Sequence, residues 1–162
     1  MDAIRFREAM THLGAAVNVI TTGGDAGLGG FTASAVCSVT DSPPTLLFCM
    51  NKGGFQYERF VSNGVACVNV LHGRQEDISQ TFSGALKIAL EERFEAVAWS
   101  TLHTPSPALD DSLVSFDCRI VEVNEVGTHG VFICEVEAIR FGAHNESLMY
   151  FRRQYHRLAQ AS

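Results

Sequence analysis

Apolar positions along the chain recur mostly with period two, in short runs separated by glycine, proline or Asn/Asp breaks. Only two stretches carry a helical period. Residues 2–13 place Ala3, Phe6, Met10 and Leu13 on one face, with Asp2 as a cap and Gly14 as a stop. Residues 75–94 form a broken helical stretch: Ile78 and Phe82 share a face, as do Leu86, Leu90 and Phe94, and Gly84 separates them. Everything else reads as strand or turn.

AAVNVITT (15–22) is a strand, GGDAGLGG a turn, and FTASAVCSVT (31–40) the returning strand of a hairpin. Asp41-Ser42-Pro43-Pro44 ends it, because prolines cannot continue a ladder. TLLFCMN (45–51) is a third strand, buried on both faces by composition, and a turn and short helix anchored by Phe55 and Phe60 follow. VACVNVL (65–71) is a fourth strand. After the loop HTPSPALDD come LVSFDCRIVEVNEV (113–126), a GTHG turn, VFICEVEAIRFG and the short LMYF (148–151). About seven strands with hairpin-like connections predict a mainly β, antiparallel protein, closed or partly closed into a barrel, in one domain spanning 1–162. No GxGxxG follows a strand and GGDAGLGG has no Walker pattern, so a doubly wound dinucleotide fold is disfavoured.

Composition narrows the function classes. The 162 residues are 46% hydrophobic and 19% charged, with a formal charge of −6. An acidic chain whose only basic run is Arg152-Arg153 does not suit nucleic acid. No run reaches the ~18 apolar residues of a membrane helix, and MDAIRFREAM lacks the apolar region of a signal peptide. Five cysteines in apolar runs, with no CxxC spacing, predict core thiols in a reducing cytoplasm. The histidines show no metal-ligand spacing, so metal ligation is not expected.

The strand 31–40 carries the chemistry. One face shows Thr32, Ser34, Val36, Ser38 and Thr40; the other, Phe31, Ala33, Ala35, Cys37 and Val39, reads as a small-residue core. Hydroxyls on small side chains let a flat or phosphorylated ligand approach the backbone while offering hydrogen bonds. A solvated edge is the competing reading of the same face. Read from the residues alone, His129 is a turn histidine, Lys52 a surface lysine and Phe82 a core ring.

GAAVNVITT, GFTASAVCSVTDSPPTLLFCMN, LVSFDCRI, VGTH and YFRRQYHRL occur in the order seen in the short-chain flavin reductases, which this chain resembles from Phe6 to Leu158. These are the NAD(P)H-dependent small components of two-component flavin monooxygenases, on an FMN-binding split barrel. The likeness is nearest to the reductases serving 4-hydroxyphenylacetate 3-monooxygenase and the pyrimidine-degradation monooxygenase. It implies hydride transfer from NADH, with NADPH an alternative, to FMN or FAD, and release of reduced flavin to a separate monooxygenase. It also implies a homodimer, since such barrels build the flavin site near a subunit interface.

The implied flavin residues are Thr32, Ala33, Ser34 and Ala35, then Ser38, Val39 and Thr40, then Cys49, Asn51 and Lys52 after the next strand, with Phe82 beside them. His129 is implied beside the nicotinamide, with Arg152 and Tyr155 closing that site. No side-chain acid, base or nucleophile is required, because the two cofactors hold the reactivity. A non-enzymatic FMN electron carrier on the same barrel is the rival reading, and a pyridoxamine-phosphate-oxidase-like enzyme a third.

Overall fold

The computed structural model describes residues 1–161. Helix α1 (Ala3–Met10) starts where the Asp2 carboxylate accepts hydrogen bonds from the Ile4 and Arg5 N–H groups at 3.1 and 3.4 Å. It stops short of Leu13, and none of its residues is buried, so the expected apolar face stays largely exposed.

The first expected strand serves two sheets. β1 (Ala15–Ala16) pairs with β11 (Glu146–Phe151), which also pairs with β12 (Gln154–Ala159); β2 (Asn18–Thr22) enters a larger sheet. Val17 is the switch, donating its N–H to Leu148 O and accepting from Leu71 N.

The larger sheet is antiparallel and seven-stranded. It joins β2 to β3 (Gly29–Ala33), β4 (Val36–Asp41), β5 (Pro44–Asn51), β6 (Val65–Val70), β9 (Val114–Val126) and β10 (His129–Phe141). Its order is β3-β2-β6-β9-β10-β5-β4, which corrects one expectation. The strand 31–40 is not continuous. It breaks at Ser34-Ala35, and its halves form opposite edges of the sheet, so the sheet curls until one short segment spans both edges. No ladder closes β3 onto β4; Ala35 O instead accepts from Cys49 N at 3.1 Å.

The break also undoes the two-face reading. Every residue from Cys37 to Asp41 is exposed, and Val39 is 50% exposed rather than core. β4 is an edge strand, and a register shift between Ser38 and Thr40 interrupts its alternation. Accordingly Cys37 is exposed and Cys49 half-buried, whereas Cys67, Cys118 and Cys134 are the core thiols that were expected. Burial pushes the Cys134 thiol up to about 12.

Two cores flank the curled sheet. Inside it, Ile20, Phe48, Val68 and Phe132 meet α2 (Tyr57–Asn63), which plugs the interior with Tyr57 and Phe60. Phe48 and Phe132 stack with centroids 4.8 Å apart. Phe55, expected as an anchor, is 70% exposed, and Tyr57 holds that place. On the outer side Val17, Val19, Leu71 and Leu148 pack against α3 (Glu76–Phe82) and α4 (Leu90–Glu95). Gly84, at φ +79°, lies in the link between these two helices, as the sequence indicates, but Leu86 is exposed. The loop after Trp99 contains a small pair, β7 (Trp99–Ser100) with β8 (Ala108–Leu109).

Candidate functional site

The residue that lets the helices close on the site's β3 wall is Gly30. A Cβ there would lie 2.8 Å from the Phe82 ring and 3.0 Å from the Phe94 ring. With no side chain in the way, α3 and α4 lie flat against the strand. The Gly30 N–H donates to Gln56 Oε1 at 2.6 Å, fixing β3 to the entry of α2. Two residues on, Thr32 Oγ1 donates to Ser79 O at 2.6 Å, and Ser79 Oγ is 2.8 Å from Tyr155 Oη. This linkage ties β3, α3 and β12 into one wall. It also commits the Thr32 proton, leaving that hydroxyl to act as an acceptor.

The opposite wall is the end of β5 and the start of β10, where Asn51 pairs with His129. Asn51 Oδ1 accepts from Gly53 N at 2.8 Å, bending the chain away after the strand. His129 is exposed, with Nδ1 2.9 Å from Thr128 Oγ1.

Between these walls lies a groove of three adjoining hollows that all touch Thr32. One, of about 330 Å³, is lined by Thr32, Ala33, Ser34, Ala35, Cys49, Asn51 and His129, together with Phe31 and Met50. It thus gathers seven of the expected residues from separate parts of the chain. A second, of about 220 Å³, adds Tyr155 with Tyr150, Ser79 and Ser83. The third, of about 300 Å³, adds Phe82, whose ring is 1% exposed: it is a core residue with one edge on the groove. Volumes of this order, with small residues and a few polar groups, suit a planar heterocycle and its polar tail. Burial raises the Cys49 pKa, so this thiol is a neutral part of the lining and not a nucleophile.

Five expected residues stand outside these hollows. Ser38, Val39 and Thr40 lie along the exposed edge β4, and Thr40 Oγ1 accepts from Ser42 N in the following turn. Lys52 turns away to Glu125, with Nζ 2.6 Å from the carboxylate. Arg152 sits at φ 49° in the β11–β12 turn, its N–H donating to Thr11 O. Conversely, Gln56, Ser79 and Arg93 are site residues that sequence reasoning missed. Each lies on a helix or its cap, outside the strand pattern that drew attention.

A second polar cluster lies elsewhere. His72 Nε2 is 3.2 Å and His144 Nε2 2.7 Å from the Asp111 carboxylate, and the two imidazoles stack 3.7 Å apart. These come from three separate segments, so no spacing motif announces them. His72 Nδ1 accepts from Arg74 N, which places the ring proton on Nε2, facing Asp111. The His144 hydrogen bond is the main cause holding the Asp111 carboxyl below the usual carboxylate range. Among the described residues no helix is long and apolar enough to cross a membrane.

Comparison with known proteins then identifies relatives. The profile described as "Flavin reductase like domain" matches residues 10–159. An FMN reductase (NADH), RutF 2, of Rhizobium rhizogenes is 51% identical over 151 residues, 93% of this chain and 86% of that protein. Among solved structures, the flavin reductase PheA2 superposes with a TM-score of 0.88 at 31% identity, covering 99% of this chain and 100% of that one. The Streptomyces globisporus NADH:FAD oxidoreductase SgcE6, solved with NAD and FAD fragments, gives 0.88 at 25% identity, covering 98% and 93%.

Proposed function

Because the chain belongs to the flavin reductase like family, we propose that its groove performs NADH-dependent reduction of FMN or FAD and that the reduced flavin passes to a separate monooxygenase. The observation that carries this reading is the convergence of Thr32–Ala35, Cys49, Asn51 and His129 on one hollow. Nicotinamide supplies a hydride from its C4, and flavin N5 accepts it. The chain's own residues bind, orient and exclude water.

Ala33, Ser34 and Ala35 are small enough to leave backbone groups of the hinge within reach of a heterocycle's polar edge. The Cys49 side chain and Met50 form an apolar floor. His129, at the rim, is placed to orient the carboxamide of a nicotinamide. Tyr155, held by Ser79, bounds the other end. No proton transfer by a side chain is required, because the two ligands hold the reactivity.

The reading extends to assembly and compartment. The whole of residues 1–162 acts as one domain, and two copies associate. Support for the dimer comes from α1, where Ile4, Phe6, Met10 and Leu13 are 71, 55, 46 and 63% exposed on or just beyond a helix with no buried residue, and from the exposed edge β4. The second copy is also what brings β4, with Ser38, Val39 and Thr40, and the Arg152 turn toward a bound flavin and nicotinamide. Five free cysteines suit the reducing cytoplasm.

The test is steady-state oxidation of NADH and of NADPH by the purified protein with FMN, FAD or riboflavin added. The expected result is slow oxidation alone and a saturable rise with flavin. A rate indifferent to every added flavin sinks the reading.

A further inference from the structure

We propose that Arg93 is the anchor for the phosphate of a nucleotide bound in the groove. The flavin reductase reading supplies what the nucleotide is; the chain's own charges supply where its phosphate goes. Arg93 lies on α4 and is only 6% exposed. Its Nε donates to Ile88 O at 3.0 Å and its Nη1 to Phe82 O at 3.4 Å. No carboxylate among the described residues pairs with it. Nη2 has no acceptor among them either, and it lies beside Gly84, where an added Cβ would stand 3.9 Å away. A guanidinium held by two carbonyls, with no carboxylate partner and its remaining edge open to the groove, is placed to meet an anion.

The hollow that Arg93 lines is built to admit one. It measures about 300 Å³, and every other residue on its wall is neutral. Phe31, Thr32, Met50 and Asn51 belong both to this hollow and to the one that holds His129. A ring in the His129 hollow can therefore extend a phosphorylated tail along this shared wall to Arg93. In a chain of formal charge −6 this is a local positive site. Lys52, the one cation among the implied flavin residues, is already engaged by Glu125 at 2.6 Å and does not line the groove. Guanidinium also matches phosphate oxygens in a two-pronged geometry that an ammonium lacks.

The same chemistry is offered by the 5′-phosphate of FMN and by the pyrophosphate of NADH, and the experiment separates them. Arg93→Gln removes the charge. Ser83→Asp puts a carboxylate on the exposed rim of the same hollow without touching the two carbonyl contacts of Arg93. Equilibrium fluorescence titration with FMN and with riboflavin needs no turnover. Steady-state rates with NADH and with a phosphate-free reduced N-alkylnicotinamide form the second arm.

If the flavin phosphate is bound, Arg93→Gln weakens FMN by about 10- to 150-fold, the worth of a charged hydrogen bond, and leaves riboflavin nearly unchanged. If the dinucleotide is bound, the same selective loss falls on NADH and spares its phosphate-free analogue. Ser83→Asp shifts the same ligand in the same direction, so an Arg93→Gln protein that melts early does not decide the matter. Equal effects on phosphorylated and phosphate-free ligands in both arms overturn the proposal and leave Arg93 as a tie between α3 and α4. So does a wild type that binds FMN no better than riboflavin and uses NADH no better than the analogue. Absence of flavin-dependent turnover would instead sink the enzymatic reading while leaving the binding contrast legible.

Discussion

β3 and β4 are both short strands made largely of small residues and are separated by only Ser34 and Ala35, yet they end in opposite surroundings. On β3, Gly29 and Gly30 are buried and Phe31 to Ala33 half-buried, because α3 and α4 cover the strand. On β4, nothing covers the residues from Cys37 to Asp41. Side-chain period tells which residues share a face; it does not tell whether anything packs on that face. The groove exists because cover was supplied on one side of the hinge and withheld on the other.

The strongest way to break this contrast is to add bulk on each side. Gly30→Val drives a branched side chain into Phe82 and Phe94, since even a bare Cβ at this position would stand within 3.0 Å of both rings. Overpacking of this kind costs ~1–3 kcal/mol or more, so thermal unfolding should shift down by several degrees. Val39→Lys, on the bare edge, should stay within about 0.5 kcal/mol in a monomer. If Val39→Lys also lowers the melting point, and size-exclusion chromatography shows dissociation, the edge is covered by a second copy. Equal costs with no change in association would erase the distinction between the two strands.

The next test is of ligand binding. Ser34→Phe places a ring in the His129 hollow itself, and FMN affinity should fall more than about tenfold, or ~1.4 kcal/mol, while the apo-protein melts as before. Ser38→Phe adds the same ring on β4, outside the hollow of one copy. Its loss should be the smaller of the two. An equal loss would make the second copy's β4 a full wall of the flavin site, and a larger loss at Ser38 would move the isoalloxazine onto the edge strand and demote the groove to a passage.

These outcomes bear on how far the sequence alone could lead. Strand positions were legible because the signals are local: β9 falls where alternation puts it, and β5, β6 and β10 where short apolar runs bounded by turn residues do. The break at Ser34-Ala35 was not, since neither residue is a glycine or proline and nothing local marks a chain leaving one sheet edge for the other. β12 was missed for a related reason. The turn before it uses Arg152 and Arg153 at φ 49° and 64°, where Asn-Gly would have announced a hairpin. Resemblance pointed to Thr32–Ala35, Cys49 and Asn51 for the flavin and to His129 for the nicotinamide, and these residues line one hollow; their spacing in sequence could not have grouped them. Arg93 was hidden among the charges of LEERFE, because one sequence does not distinguish a buried arginine from a solvated one.

His129 gives the smallest effect and the finest test, because it is exposed like β4 yet belongs to the groove. If covering were all that mattered, it would be an ordinary turn residue. Its position opposite Asn51 instead sets it over the hollow, where one hydrogen bond to a nicotinamide carboxamide is within its chemistry. A neutral bond is worth ~0.5–1.5 kcal/mol net, so His129→Ala should raise the KM for NADH, or slow flavin reduction, roughly 2- to 13-fold. FMN affinity should barely move, since the hinge and β5 are untouched. Stability should hold as well: Gly127, at φ +56°, supplies the left-handed turn, and among the described residues the imidazole has only Thr128 Oγ1 as a hydrogen-bond partner. Stopped-flow reduction across NADH concentrations, beside equilibrium FMN titration, makes the separation. Unchanged reduction kinetics would return His129 to the surface, and the groove would then be defined on its β3 wall alone.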